Sequence, residues 1–298
     1  MARRGKSVAG MLRCTLTAGA SPAKVEPGST IVLYSPAQRC LDILEALADA
    51  PQGLALSAIG QSLDLPKSAA HRFCTLLERR GFVRQDALTR YYRLTFKLPQ
   101  LAFRFIAASG IADVAQPVLD ALAARTGELA RLAVVDGDTL TWVARAQGAT
   151  NGLRYDDEAG REVILHATAT GKVWLASLPE AQALAIVKRA GVIGSRPFGP
   201  RAATTLAGLA RELAATRRRR YGEAVEEGEP GVAAVAAAIR ATSDPATAVV
   251  ATVSVAGPLA RLDAPRRAAL GEATLDAARE LTELWPARSF LVAGTRAA

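Results

Sequence analysis

Residues 56–94 constrain this chain more than any other stretch: two short helical patterns meet at a tight turn, and two short strands follow around a polar turn. The second helical pattern is the informative one. Pro66 suits a first helical turn, where a missing N–H costs nothing, and Gly81 suits the left-handed residue just past a helix end. At about 100° per residue, Ala70, Phe73 and Leu77 share one side, while Lys67, Ser68, His71, Arg72 and Thr75 spread over the opposite arc. One face packs; the other carries hydrogen-bonding groups. Residues 57–64 predict the preceding helix, with Ser57 as N-cap and Ile59 and Leu63 four apart on one side. Asp64-Leu65-Pro66 is a turn of the length that holds a reading helix proud of its support. Phe82-Val83-Arg84 and Tyr91-Tyr92-Arg93-Leu94 read as strands around residues 86–90, a wing carrying Arg84, Arg90 and Arg93. The pattern predicts a winged helix-turn-helix, a reader of double-stranded DNA.

Helix-turn-helix geometry also occurs in proteins that never meet DNA, so the charge distribution matters. Residues 1–105 hold 15 Lys+Arg against 7 Asp+Glu, a net of +8, whereas residues 106–298 hold 22 against 21, a net of +1. Nearly all of the formal charge of +9 therefore sits with the reading head, as attraction to phosphate requires. With 298 residues and 50% hydrophobic content, the chain has enough material for two cored domains. No apolar run approaches the roughly 20 residues of a membrane span, and Arg13 interrupts the mildly apolar start, so neither membrane insertion nor export is expected. Cys14, Cys40 and Cys74 are odd in number and lack CxxC spacing, which suggests neither a disulfide framework nor zinc and fits a reducing cytoplasm. Cys40 and Cys74 lie in or beside apolar helix faces and read as small core residues.

In chain order, residues 1–34 read as a flexible basic arm and residues 35–96 as the DNA-binding domain, opened by Ser35-Pro36 and a helix to about Asp49. Residues 97–110 form a linker helix with Leu98, Leu101, Ala102 and Phe105 at helical spacing, an apolar surface that calls for a partner subunit. The second domain covers residues 111–286 and residues 287–298 form a tail. Within the domain, a helix carries Ile111, Val114, Ala115, Val118 and Leu122, and a hairpin turns at Asp136-Gly137-Asp138. A polar loop over residues 147–160 leads to a short strand at 161–165. Helices follow at 171–177, 180–190 and 206–220, strands at 232–240 and 248–256, and a last helix at 263–284. Such interleaving predicts an α+β domain with helices over one sheet face and loops that enclose a ligand. The run Arg217 to Arg220 reads as complementing a helix C-terminus rather than as a second nucleic-acid patch.

The sequence resembles the IclR family of bacterial transcriptional regulators from about Tyr34 to Trp285. The residues that carry the resemblance are Leu65-Pro66-Lys67-Ser68 with His71-Arg72, Leu77-Glu78-Arg79-Arg80-Gly81-Phe82 and Tyr92-Arg93-Leu94 in the head. In the second domain they are His166-Ala167-Thr168, Gly171-Lys172, Glu229-Pro230-Gly231-Val232 and Val253-Ser254-Val255-Ala256-Gly257-Pro258. The resemblance implies a linker helix used in dimerisation, a homodimer or dimer of dimers on a pseudo-palindromic operator, and a GAF-like effector-binding domain with an antiparallel sheet. It also implies an effector that is a small organic or aromatic acid, bound by the loop Ala169-Thr170-Gly171, an acidic segment at residues 224–227, Ala234, and the strand from Ser254 to Ala256. Where the family often carries acidic residues, a cysteine and a second serine, this chain has Ala224, Val225, Ala234 and Ala256, which predicts a less polar pocket. Glu226 is then the nearest acidic candidate, and Thr170 and Ser254 supply hydroxyls. Thr170 could equally cap a helix, Ser254 pack in a sheet and Glu226 sit at a solvated edge.

From the residues themselves, an anion is favoured because Thr168 to Gly171 leads into a helix whose first N–H groups attract carboxylates. His166 reads as a structural residue sooner than as a ligand donor, and Trp142, Tyr155 and Trp174 as core sooner than as pocket wall. An enzyme fused to a DNA-binding head is the alternative, but GxSxG, Walker and GxGxxG patterns are absent, and two histidines cannot make a metal cluster. No catalytic residue, metal or cofactor is expected. An architectural DNA-binding protein, the third class, would lack a ligand pocket.

Overall fold

The computed structural model describes residues 35–150, 152–156, 163–191, 193 and 198–285. The basic arm at 1–34, the tail at 287–298 and Cys14 lie outside the described residues. The chain divides into two compact units between Lys97 and Leu98.

The first unit is a three-helix support with a wing. Helix α1 (Pro36–Ala48) starts with a capping box in which the Ser35 hydroxyl accepts from the Gln38 amide and the Gln38 side chain accepts from the Ser35 amide. Helix α2 (Leu56–Ser62) begins one residue earlier than expected. Ala55 holds the cap position and its carbonyl accepts from Ala58 and Ile59, so Ser57 lies inside the first turn and caps nothing. Helix α3 (Lys67–Arg79) likewise has Pro66 at its cap, in extended backbone, rather than in its first turn. Left-handed Asp64 reverses the chain between the two helices. Gly81, at φ 76°, closes α3 as the sequence suggested, and the Phe82 amide donates to Leu77.

Strands β1 (Val83–Gln85) and β2 (Tyr92–Leu94) pair antiparallel, with Arg84 opposite Arg93. The wing turn is braced by Asp86, which accepts from the Leu88 and Thr89 amides, the Thr89 hydroxyl and Arg93. These donors hold its carboxyl below the usual range. Ile43, Leu47, Ile59, Ala70, Cys74, Leu77, Val83 and Tyr92 form the core. Cys74 takes the buried place expected of Phe73, which is only half-buried, and burial pushes its thiol up to about 11. It is a packing residue.

The second unit begins within α4 (Lys97–Ser109), which follows the wing in the chain, and continues with α5 (Ile111–Thr126). Left-handed Gly110 and Gly127, at φ 63° and 68°, bound α5. Five antiparallel strands follow the order β4-β3-β7-β6-β5, from β3 (Leu129–Asp136), β4 (Thr139–Gln147), β5 (Gly222–Val225), β6 (Val232–Arg240) and β7 (Val249–Pro258). Helices α6 (Ala169–Ser177), α7 (Glu180–Ala190), α8 (Leu206–Arg219) and α9 (Ala264–Leu284) complete it.

Helices cover both sheet faces, not one. Leu132, Val134, Val253 and Val255 pack with Leu119 and Leu122 of α5 and Leu281 of α9. The alternate residues, such as Ala133, with Leu140 and Val249, pack with Trp174, Leu175, Leu209 and Leu213 of α6 and α8. Each fully buried leucine contributes on the order of 1.5–3 kcal/mol, so a sheet with apolar residues on both faces needs both layers. The strand expected at 161–165 is absent over its described part: Val163 and Ile164 are coil and Leu165 opens the turn into α6, while 161 and 162 lie outside the described residues. Strand β5 is an additional edge that four residues, two of them Gly and Ala, did not announce. Arg217 donates to the carbonyls of Ala176 and Leu178, tying α8 to the end of α6, which is a structural use for part of the arginine run.

Candidate functional site

On the first unit, Lys67, Ser68, His71 and Arg72 of α3 are all exposed, and Thr75 is half-buried. The buried stripe Ala70, Cys74 and Leu77 fixes the helix from behind. Arg84 and Arg90 are exposed on the wing, with Arg90 left-handed at φ 59°. Leu88, 95% exposed, stands at its tip. The six residues proposed for DNA thus lie on solvent-facing positions of two rigid elements, α3 and the wing. A free helix face with cations beside it fits a groove edged by phosphate.

The second unit holds a cavity open to solvent, with about 690 Å³ of empty space counting its open mouth. Its floor is the sheet face under α6. Ala224 of β5 lies opposite Ala234 of β6, which lies opposite Ala256 of β7, so three cross-strand partners make a row of methyl groups. Ala169 and Thr170 at the start of α6 form one wall. The helix cap is Thr168, whose hydroxyl accepts from the Gly171 amide at 3.0 Å and donates to the Ile164 carbonyl at 2.8 Å. Thr170, 2% exposed, is therefore not the cap.

Of the effector residues named from sequence, Ala169, Thr170, Ala234 and Ala256 line the cavity; Gly171, Glu226 and Ser254 do not. Gly171 is packed where a side chain would meet the Leu165 carbonyl. Ser254, two residues along β7 from Ala256 and so on the same sheet face, is buried beside the floor, with no hydrogen-bond partner for its hydroxyl among the described residues. Glu226 is left-handed at φ 53°, accepts from the Gly231 amide at 3.2 Å and lies 3.5 Å from Arg201. That turn breaks the in-out alternation after Ala224 and brings Glu227 inward in its place. Glu227, with Gly228 and Glu229, lines the cavity.

Both Glu227 oxygens accept from the Lys172 ammonium, at 2.7 and 2.8 Å, and Lys172 is wholly buried, with Glu212 3.6 Å away. Burial still leaves the Glu227 carboxyl above its usual range, against the pull of Lys172. His166, also fully buried, stacks edge-on against Phe198 at 4.8 Å; burial first, and Lys172 second, hold it below its usual range and so neutral. It does not line the cavity, whereas Trp142 and Tyr155 do and Trp174 is core.

Sequence reasoning missed Arg131, gave Lys172 no role, and within the segment 224–227 singled out Glu226 rather than Glu227. Arg131 lines the cavity with its guanidinium 4.0 Å from the Trp142 ring centre and 5.6 Å from that of Tyr155. The signal for it was a charge in the middle of the otherwise apolar strand Leu-Ala-Arg-Leu-Ala-Val-Val. Among the described residues, no cluster of His, Cys, Asp and Glu could hold a metal, and no single helix is long and apolar enough to cross a membrane.

Residues 36–87 match the IclR helix-turn-helix domain and residues 103–283 the bacterial transcriptional regulator IclR C-terminal domain. The probable transcriptional regulator SauR of Cupriavidus necator is 34% identical over 76% of this chain and 87% of its own. The HTH-type transcriptional regulator BhcR of Paracoccus denitrificans is 32% identical over 82% and 85%. An IclR homologue from Microbacterium hydrocarbonoxydans, solved in complex with 4-hydroxybenzoate, superposes with a TM-score of 0.66 at 25% identity, covering 85% of this chain and all of that one. The two domain matches cover most of the chain, and the chain belongs to the IclR family of non-enzymatic, ligand-responsive bacterial transcriptional regulators.

Proposed function

We propose that this regulator controls a metabolic operon by coupling operator affinity to the occupancy of its cavity by a small, partly apolar carboxylate. The observation that carries the reading is the cavity itself, floored by alanines and walled by the start of α6. The 4-hydroxybenzoate bound by the Microbacterium homologue supports an acid of that kind. In this reading residues 35–96 bind DNA, 97–110 link, and 111–286 sense. The protein works in the cytoplasm, where the operator is, and the sign of its control follows from which form binds the operator. Calorimetry with a panel of small acids on the full chain should find one that binds, that Thr170→Val weakens, and that shifts operator affinity about 5- to 150-fold. A bound acid that leaves operator affinity unchanged would refute the coupling, because a ligand with equal affinity for both forms moves nothing.

Lys67, Ser68, His71 and Arg72 would face the major groove, and Arg84 and Arg90 the phosphates or minor groove. The chain would act as a homodimer or dimer of dimers through α4, whose Leu101, Phe103 and Phe105 are 42%, 70% and 69% exposed. Footprinting should then show two inverted half-sites. Arg72→Ala should cost about 1–3 kcal/mol and change preference at one base position, while Arg90→Ala should weaken all sequences alike and flatten the salt slope by about one. Unaltered operator binding by both variants would remove these residues from the interface.

A further inference from the structure

We infer that Leu88 is an apolar wedge: on the operator it enters the minor groove beside each half-site, parts one base step and bends the duplex. The inference rests on the proposed placement of the wing on DNA and adds to it a mechanical act and a second source of sequence preference. A single exposed leucine is ordinary on a protein surface, and what sets this one apart is how it is held. Leu88 is 95% exposed, yet the turn that carries it is fixed from beneath. One Asp86 carboxylate oxygen accepts from the Leu88 amide at 3.1 Å, the Thr89 amide at 2.9 Å and the Thr89 hydroxyl at 3.0 Å. The Arg90 amide donates to the Asp86 carbonyl at 3.0 Å, and the Gln85 side chain donates to the Arg90 carbonyl at 2.9 Å. The wing is tied in turn to the reading helix, because the Gln85 amide donates to the Glu78 carboxylate of α3 at 3.0 Å. The leucine is therefore held at a set position relative to α3, with its apolar surface in water and no packing within the chain to offset that exposure.

Charge indicates what the tip meets. Arg84 and Arg90, on either side of Leu88 in the chain, are exposed and form no ion pair among the described residues. Arg93, by contrast, is turned back onto Asp86, the only carboxylate between Phe82 and Phe96. An apolar tip between two free cations, with the one anion consumed by the turn, fits a groove walled by phosphate. The minor groove is about 6 Å wide, so it excludes a helix but admits one projecting side chain. Leucine makes no hydrogen bond to a base edge, so its gain comes from burial between unstacked bases, and the resulting bend brings more backbone to the head. Pyrimidine–purine steps part most easily. A preference for such a step at a fixed distance from the bases read by α3 follows, without any polar contact to it.

The full chain first selects its operator from random-sequence duplexes. The probe is the selected duplex, with 2-aminopurine replacing adenines that border the half-sites and a dye pair at its ends. The parent should raise the 2-aminopurine fluorescence at one step beside each half-site and shorten the end-to-end distance. Leu88→Ala and Leu88→Gln should abolish both effects while weakening binding only about 3- to 30-fold, because the burial of one leucine is partly cancelled by the unstacking it drives. Leu88→Met should keep both effects, and a second selection with Leu88→Ala should lose the pyrimidine–purine preference. An exposed tip can be replaced without unfolding the head, which an unchanged thermal transition checks. Unstacking or bending as large with Leu88→Ala as with the parent overturns the inference, and so does a parent that binds without parting any step. In either case, uniform weakening by Arg90→Ala keeps the wing on the DNA, and the functional reading stands. If Arg90→Ala and Leu88→Ala both leave binding and duplex shape untouched, the wing is off the DNA and its placement falls with the wedge. Altered sedimentation of the free Leu88→Ala chain, with operator binding intact, assigns the leucine to a contact between protein chains and overturns the inference.

Discussion

Lys172→Met should lower the stability of the second unit by about 3–5 kcal/mol, the cost of leaving a buried charge without its partner. Lys172 is wholly buried and its ammonium satisfies both oxygens of Glu227, which is itself only 8% exposed. Removing the cation leaves a largely buried carboxylate with the Val225 amide, at 3.3 Å, as a weaker donor. At roughly 2–4 °C per kcal/mol for a unit of this size, its calorimetric transition should fall by on the order of 10 °C.

The pH dependence follows from the same pair. Burial already raises the Glu227 carboxyl, and Lys172 is the chief influence drawing it back down. A carboxyl raised above its unfolded value favours the fold at low pH and loses that contribution as pH climbs through its folded value. In Lys172→Met the value rises further, so the defect should be smaller near pH 5 than near pH 8. Lys172→Met with Glu227→Met should recover most of the loss, because replacing both members of a buried pair by apolar groups is often neutral. A double variant as unstable as the single one, or a defect that does not change with pH, would show that the pair is not the cause.

Gly171→Ala should be nearly as damaging, at about 3 kcal/mol or more, the upper end of overpacking. A methyl group there would lie 2.2 Å from the Leu165 carbonyl oxygen and 2.4 Å from its Cα. Both are backbone atoms, so no side-chain rotation relieves the overlap, and α6 must move off the turn that leads into it. Since Ala169 and Thr170 wall the cavity from that same helix, binding of any ligand there should weaken with stability. Gly137→Ala is the control: a methyl group there meets nothing within 4 Å, although its φ of 58° imposes a smaller backbone cost. Equal stability of the Gly171 and Gly137 variants would sink the close-approach account.

Much of this was legible before any coordinates. The reading helix was recognisable because its two faces differ so sharply in chemistry, and the hairpin at Gly137 because a turn residue stood between two alternating runs. Boundaries were less accessible. Ser57 looked like a cap, but capping is settled by which carbonyl the next amides reach, and Ala55 supplied it. Cys74 displaced Phe73 from the core by a fraction of a helical turn, beyond what periodicity resolves.

The cavity was harder for a physical reason. Three of its floor residues are alanines, which carry no chemical signal, and they become a surface only when β5, β6 and β7 align in register. Glu226 and Glu227 are adjacent and chemically identical, and only the left-handed backbone at Glu226 decides which one turns inward. Arg131 was visible as a misfit in an apolar strand, but its surroundings depend on Trp142 and Tyr155, which the chain brings to it from a neighbouring strand and a loop.

Between Gly110 and Gly127 the backbone is a single helix, and both bounding residues take the left-handed conformation. Leu119 and Leu122 of that helix lie in the core against the sheet, so the number of turns between the two glycines is fixed by what the helix packs on. Adding or deleting one residue within α5 would rotate everything beyond it by about 100° and turn part of that buried stripe toward water, while the same change in a surface loop is absorbed locally. This segment can thus vary in composition on its exposed side but not in length.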